Sequence, residues 1–243
     1  VEYKQKRCIQ LAKAGMLALN LEWFLFGELA NPHNQHWFQS QMDFVGTSGL
    51  GLFYLAMRRG LDFLYDHPNA DRSRVAVTGL SGGGWQTIIL SSLDERVTVG
   101  IPVAGYCDFV ARVERREETG DLEQNAADML TVADYSHLTA MRAPRPTLLI
   151  HNAEDNCCFK APLVKEGIYD RVRPFFDLYK AGSAFAWHEN FDPGDHNYQA
   201  DNRQAAYRFF TQHFRTPIAE SADVAAEIKS YDATTGEELM AHL

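Results

Sequence analysis

An α/β fold, a mostly parallel sheet with helices on both faces, is predicted for this chain by three observations. Helix-like and strand-like periodicities alternate along the sequence, the pattern of a parallel sheet joined by crossover helices. The chain has 243 residues, 46% hydrophobic and 23% charged, enough for one domain with a buried core. Its longest apolar runs, such as Met16 to Leu19 and Leu148 to Ile150, have the length of core strands, far short of the roughly 20 residues of a membrane span.

Taken in order, Glu2 to Ala14 reads as an amphipathic helix with Cys8, Leu11 and Ala12 on its apolar side, ended by Gly15. Met16 to Leu21 reads as a buried strand, and the loop Glu22 to Glu28 is unusually aromatic. Thr47 or Ser48 caps a long helix in which Leu50, Tyr54, Met57, Leu61 and Leu64 recur at three- and four-residue steps, ending at Asp66-His67-Pro68. Arg74 to Thr78 is a short strand, followed by a helix from about Gly83 and a strand from Val97 to Ala104. Phe109 to Arg142 is a charged excursion whose alternating Arg115, Arg116, Glu117 and Glu118 suggest a solvated cap over the sheet edge. Pro144 and Pro146 punctuate the entry to strand Thr147 to His151. A last strand falls within Ser183 to Phe191, and a last helix carries Tyr198, Ala205, Ala206, Phe209 and Phe210. The expected domain spans residues 1–215, and residues 216–243 read as an acidic tail or linker to a further module.

Charge narrows the function classes. Lys and Arg total 23 against 32 Asp and Glu, a net charge of −9 that disfavours binding to a nucleic-acid backbone or an anionic membrane surface. Cys8, Cys107, Cys157 and Cys158 have neither a CxxC nor a metal-ligand spacing and read as buried or rim thiols. The chain begins at Val1, so no targeting signal is legible and the compartment is left open.

Chemistry concentrates at Gly79-Leu80-Ser81-Gly82-Gly83, a GxSxG set between a strand and a helix. A serine at the apex of such a turn is held in a strained backbone conformation, and its neighbours must lack bulk for the turn to close. The following helix points its N-terminal amides at the site, so the Gly82 N–H is a donor for an oxyanion. A serine hydroxyl needs a neutral imidazole to take its proton and a carboxylate to orient that imidazole. Asp155 follows the strand ending at His151, and His196 sits in the loop Asp192-Pro193-Gly194-Asp195-His196 before the last helix. Ser81, Asp155, His196 is the chain order of this architecture.

Among nine histidines, His151 reads as a core side chain, and His188 is the rival base, set within a strand. Asp108 and Glu154 compete with Asp155, and Asp195 reads as a loop-shaping residue. Trp23, Trp85 and Trp187 fall in segments expected to ring the site, where flat rings suit a sugar face, although aromatic residues at strand ends more often close a core.

The GLSGGGW elbow, the LLIHNAEDNCCF segment and the DPGDHNY loop together resemble the α/β-hydrolase superfamily, over roughly Val1 to Phe214. Within it the dienelactone hydrolase, prolyl oligopeptidase and acetyl xylan esterase branch is most similar. The resemblance implies Ser81 as nucleophile, Asp155 as acid and His196 as base, with hydrolysis of an ester through an acyl-enzyme and no metal or organic cofactor. The implied substrate is an acylated carbohydrate or similar ester. A serine peptidase of the prolyl oligopeptidase type and a catalytically inactive binding module are the alternatives. The superfamily sheet has eight strands, and the five strands expected here match the fourth to the eighth. The sequence is therefore expected to lack the N-terminal strands and the loop carrying the second oxyanion donor, leaving Met16 to Leu21 without a neighbour on one side.

Overall fold

The computed structural model describes residues 2–21, 25, 29, 31, 33 and 35–218. The chain divides into two compact units, one of residues 21–206 and the other of residues 1–20 together with the chain from Tyr207 on. In the second, helix α1 (Glu2–Lys13) ends at Gly15, whose φ of 81° is the left-handed conformation glycine adopts without strain. The C-terminal half of the last helix contributes the stacked pair Phe210 and Phe214.

In the larger unit, α2 (Gly49–Tyr65) starts where Ser48 accepts a hydrogen bond from the Leu50 N–H and buries Phe53, Met57 and Leu61 along one face. Four strands follow, each separated from the next by at least one helix: β1 (Ala76–Leu80), β2 (Val99–Val103), β3 (Thr147–Asn152) and β4 (Phe185–Asn190). They pair in parallel in the order β1-β2-β3-β4. Central β2 and β3 are buried along their whole length, which is why they read as continuous apolar runs rather than alternating ones. Helix α3 (Gly82–Leu93) packs on β1 and β2. Short helices α4 (Phe109–Glu114) and α5 (Tyr135–Ala140) precede β3, and α6 (Ala161–Val164), a π-helical turn at Lys165–Asp170 and α7 (Arg171–Leu178) precede β4. Helix α8 (Ala200–Phe214) closes the order, with Tyr198 just ahead of it rather than within it.

Arg142 is a fully buried cation that binds these pieces together. Its guanidinium donates to the carbonyls of Ser91, Val97, Thr98 and Pro146 at 2.8, 2.9, 3.3 and 3.0 Å, and to Thr147 Oγ1 at 3.1 Å. Burial lowers its pKa to about 9.

Two expectations are corrected. Met16 to Leu21 forms no strand: the segment has no regular structure and is largely exposed, because a strand needs a neighbouring ladder to satisfy its backbone. The Phe109 to Arg142 excursion is solvated only in part: Arg115, Arg116 and Glu117 are exposed, whereas Arg112, Glu118 and Glu123 are buried. The Arg112 guanidinium lies 4.7 Å from the Tyr135 ring centroid and 5.0 Å from that of Phe159, and it donates to the Thr119 carbonyl and Asn125 Oδ1. Glu118 accepts from the Phe159 N–H. Exposed charges at Arg115, Arg116 and Glu117 thus alternate with buried ones at Arg112, Glu118 and Glu123 that pair internally with backbone, rings and His36. The aromatic loop, except Leu25, and the acidic tail from 219 on lie outside the described residues.

Candidate active site

All four strands run the same way, so the segments leaving their C-terminal ends gather at one edge of the sheet, where open α/β sheets hold their ligands. Ser81 leaves β1, Asp155 follows β3 and His196 follows β4. Ser81 has φ 59° and ψ −122°, strained for a side-chain-bearing residue, and its N–H donates to the Val103 carbonyl at 2.9 Å. A Cβ on Gly79 would stand 2.7 Å from the Gly83 backbone, and one on Gly84 would stand 2.5 Å from the Val103 carbonyl oxygen. The elbow therefore needs Gly79 and Gly84 for close approach of helix to sheet, whereas a Cβ on Gly83 would meet nothing within 4 Å. Gly82 is the first residue of α3, and its amide has no acceptor within the helix.

Asp155 is buried with its side chain wholly enclosed, and it accepts from His196 Nδ1 at 2.9 Å, Asn152 Nδ2 at 2.9 Å, and the Cys157 and Cys158 amides at 3.0 and 3.1 Å. Burial alone would raise its pKa, but the hydrogen bonds from His196 and Asn152 outweigh it and hold the carboxyl below its usual range. For His196, burial opposes the charged form, and the Asp155 hydrogen bond and charge overcome that, raising its pKa. Assigning Nδ1–H as the donor to Asp155 leaves Nε2 as the acceptor. Among the described residues, the Ser81 hydroxyl makes no hydrogen bond; Ser81 and His196 share an edge without being joined.

The rivals lie in other networks. His188 Nε2 pairs with Asp201 at 2.8 Å, and Asp108 caps α4 and meets Arg171 at 3.0 Å. Glu154 is exposed, 4.0 Å from Lys160, and His151 is buried with Nδ1 3.2 Å from the Phe159 carbonyl.

One expected substrate-facing ring is placed elsewhere. Trp85 is fully buried, donates from Nε1 to the Tyr135 hydroxyl at 2.7 Å and meets Phe53 edge-on, so it presents no face to a sugar. Trp187 is half-buried, stacks on His151 with ring centroids 5.5 Å apart and packs against Tyr169. Trp23 lies outside the described residues.

Sequence reasoning missed an asparagine network beneath the histidine loop, buried except at Asn156. Asn152 Oδ1 accepts from Asn202, Asn190 Oδ1 accepts from the Gly194 N–H and from Asn197, and Asn156 Oδ1 accepts from the His196 N–H. The Tyr198 hydroxyl, 2.7 Å from Thr78 Oγ1, connects the far end of that loop to the strand that leads into Ser81. The only sequence signal was the density of Asn around Asp155 and His196, which spacing alone does not resolve.

A four-stranded parallel sheet with a strained serine elbow and an aspartate–histidine pair at its carboxyl edge defines an α/β-hydrolase fold. The prolyl oligopeptidase family model matches residues 57–217, and the chain belongs to that family. No curated protein matches it by sequence. Among solved structures, it is similar to the methylesterase BT1017 at 19% identity and TM-score 0.68, covering 95% of this chain and 50% of that one. A candidate acetyl xylan esterase from Bacteroides fragilis NCTC 9343 is matched at 18% identity and TM-score 0.62, covering 76% of this chain and 50% of that one. A CE15 glucuronoyl esterase from Teredinibacter turnerae T7901 is matched at 17% identity and TM-score 0.54, covering 69% of this chain and 47% of that one. The chain thus spans about half the length of these structures.

Proposed function

We propose that this chain carries the catalytic centre of a serine hydrolase that cleaves carboxylic esters on carbohydrates, with Ser81 as nucleophile, His196 as general base and Asp155 as its orienting carboxylate. The observation that carries the reading is the enclosed Asp155–His196 pair at the same sheet edge as the strained Ser81. With Nδ1–H held by Asp155, His196 Nε2 takes the Ser81 proton as Oγ attacks the ester carbonyl. The Gly82 N–H at the start of α3 stabilises the oxyanion. His196 then protonates the departing alcohol, leaving an acyl group on Ser81, and a water activated by His196 releases the acid. The carbohydrate assignment is supported by the names of the matched structures, a methylesterase, a candidate acetyl xylan esterase and a glucuronoyl esterase.

Membership of the prolyl oligopeptidase family favours a second reading, a serine peptidase using the same residues. Hydrolysis of aryl acetates and acetylated xylo-oligosaccharides against aminoacyl amides separates the two. Replacing Ser81 by Ala in the full-length protein is expected to abolish ester hydrolysis. Unchanged hydrolysis would overturn the assignment, and absence of any hydrolysis in the wild type would favour an inactive binding module.

A further inference from the structure

We infer that His36, Asp121 and Glu123 form a binding site for one divalent transition-metal cation, apart from the Ser81, Asp155 and His196 constellation. His36 opens the 3₁₀ helix His36–Val45, Glu123 belongs to the short helix Leu122–Gln124, and Asp121 immediately precedes the latter. These two segments, at least 76 residues apart in sequence (121 − 45 = 76), bring one ligand atom from each side chain within 4.8 Å of the others. A histidine nitrogen and two carboxylates are a mixed nitrogen and oxygen donor set, suited to manganese, iron or zinc, with the remaining coordination positions open to water.

The Glu123 side chain distinguishes this group from an ordinary surface cluster. It is wholly enclosed; one oxygen meets His36 Nδ1 at 2.7 Å, and the other, Oε2, is buried with no hydrogen-bond partner among the described residues. An enclosed carboxylate oxygen without a donor is costly, and a cation held beside it would satisfy it. The second carboxylate increases that demand: Asp121 Oδ2 accepts from Gln124 Nε2 at 3.1 Å, which leaves its other oxygen to serve as ligand. A dication would balance both carboxylates and take the imidazole in its neutral form. Such an ion would clip the 36–45 segment to the 121–124 segment.

The experiment uses metal-stripped full-length protein titrated with Mn2+ alone, chosen because it competes poorly for the thiols of Cys157 and Cys158. Free Mn2+ is followed by its electron paramagnetic resonance signal. One saturable equivalent per chain is expected, weakened roughly tenfold or more in Asp121→Asn and in His36→Gln. Asp121 is only partly buried, so its variant tests the site even if His36→Gln folds poorly, and circular dichroism checks both. The Ser81→Ala variant should bind Mn2+ as the wild type does, which separates this result from that of the hydrolase reading. No saturable binding, or binding unchanged in Asp121→Asn, would overturn the inference.

Discussion

Replacing Asp155 by Asn tests how the buried carboxylate acts on its histidine. The carboxylate accepts from His196 Nδ1, Asn152 Nδ2 and the amides of Cys157 and Cys158, so all four partners require acceptor character at this position. An amide has a single acceptor oxygen. If that oxygen stays with the two backbone amides, the new NH2 faces His196 and Asn152. His196 Nδ1 must then accept, its proton moves to Nε2, and the ring can no longer take a proton from Ser81. Loss of the orienting charge together with the wrong tautomer corresponds to a fall in kcat of about 10³- to 10⁴-fold, or about 4–5.5 kcal/mol in the barrier, with KM little changed. The assay is steady-state hydrolysis of an aryl acetate by the full-length protein, with thermal melting of wild type and variant as the control for folding. A natively melting Asp155→Asn protein that keeps its rate within about tenfold of wild type would refute this account of the site.

Three further outcomes follow from the same structure. Because the Asp155 pairing raises the His196 pKa and the base works unprotonated, kcat/KM should fall as pH drops through a midpoint above the ordinary histidine value of about 6.5; a pH profile with its acidic midpoint below about 6 would contradict that. Arg142→Ala leaves the buried carbonyls of Ser91, Val97, Thr98 and Pro146 without their cation donor and should cost about 3–5 kcal/mol in denaturant unfolding, whereas a loss under about 1 kcal/mol would show that water replaces the guanidinium. Ser48→Ala removes the acceptor for the Leu50 N–H at the start of α2 and should cost about 1 kcal/mol, read from the same unfolding curves, while Ser48→Gly should cost less.

The sequence made the layout of the sheet edge legible because the constraints there are local. A strained serine turn demands small neighbours, which left a glycine at 79, although the second close approach falls at Gly84 and not at Gly83 of the motif, and the motif order placed Asp155 and His196 after successive strands. The capped helix from Ser48 was equally legible, since one side chain to one amide is a short-range rule. What failed depended on partners distant in the chain. Met16 to Leu21 has strand-like composition, yet a strand exists only where a neighbour pairs with it. Trp85 follows the elbow in sequence, but the helix turns its indole inward to the Tyr135 hydroxyl, 50 residues away. Glu118 and Glu123 sit in a charged stretch that looks hydrated, and only the fold shows them enclosed by the Phe159 amide and by His36. The asparagine network around Asp155 escaped for the same reason, as its members come from β3, β4, the histidine loop and α8.

The claim on which the functional account rests is that Ser81 is a nucleophile activated by His196. It is tested most directly by treating the full-length protein with a fluorophosphonate and locating the adduct by mass spectrometry of its peptides. The account predicts one covalent adduct on Ser81, slowed at least about 10³-fold in His196→Ala and absent in Ser81→Ala. An unlabelled Ser81 in a folded protein that still hydrolyses esters, or labelling unaffected by loss of His196, would contradict it.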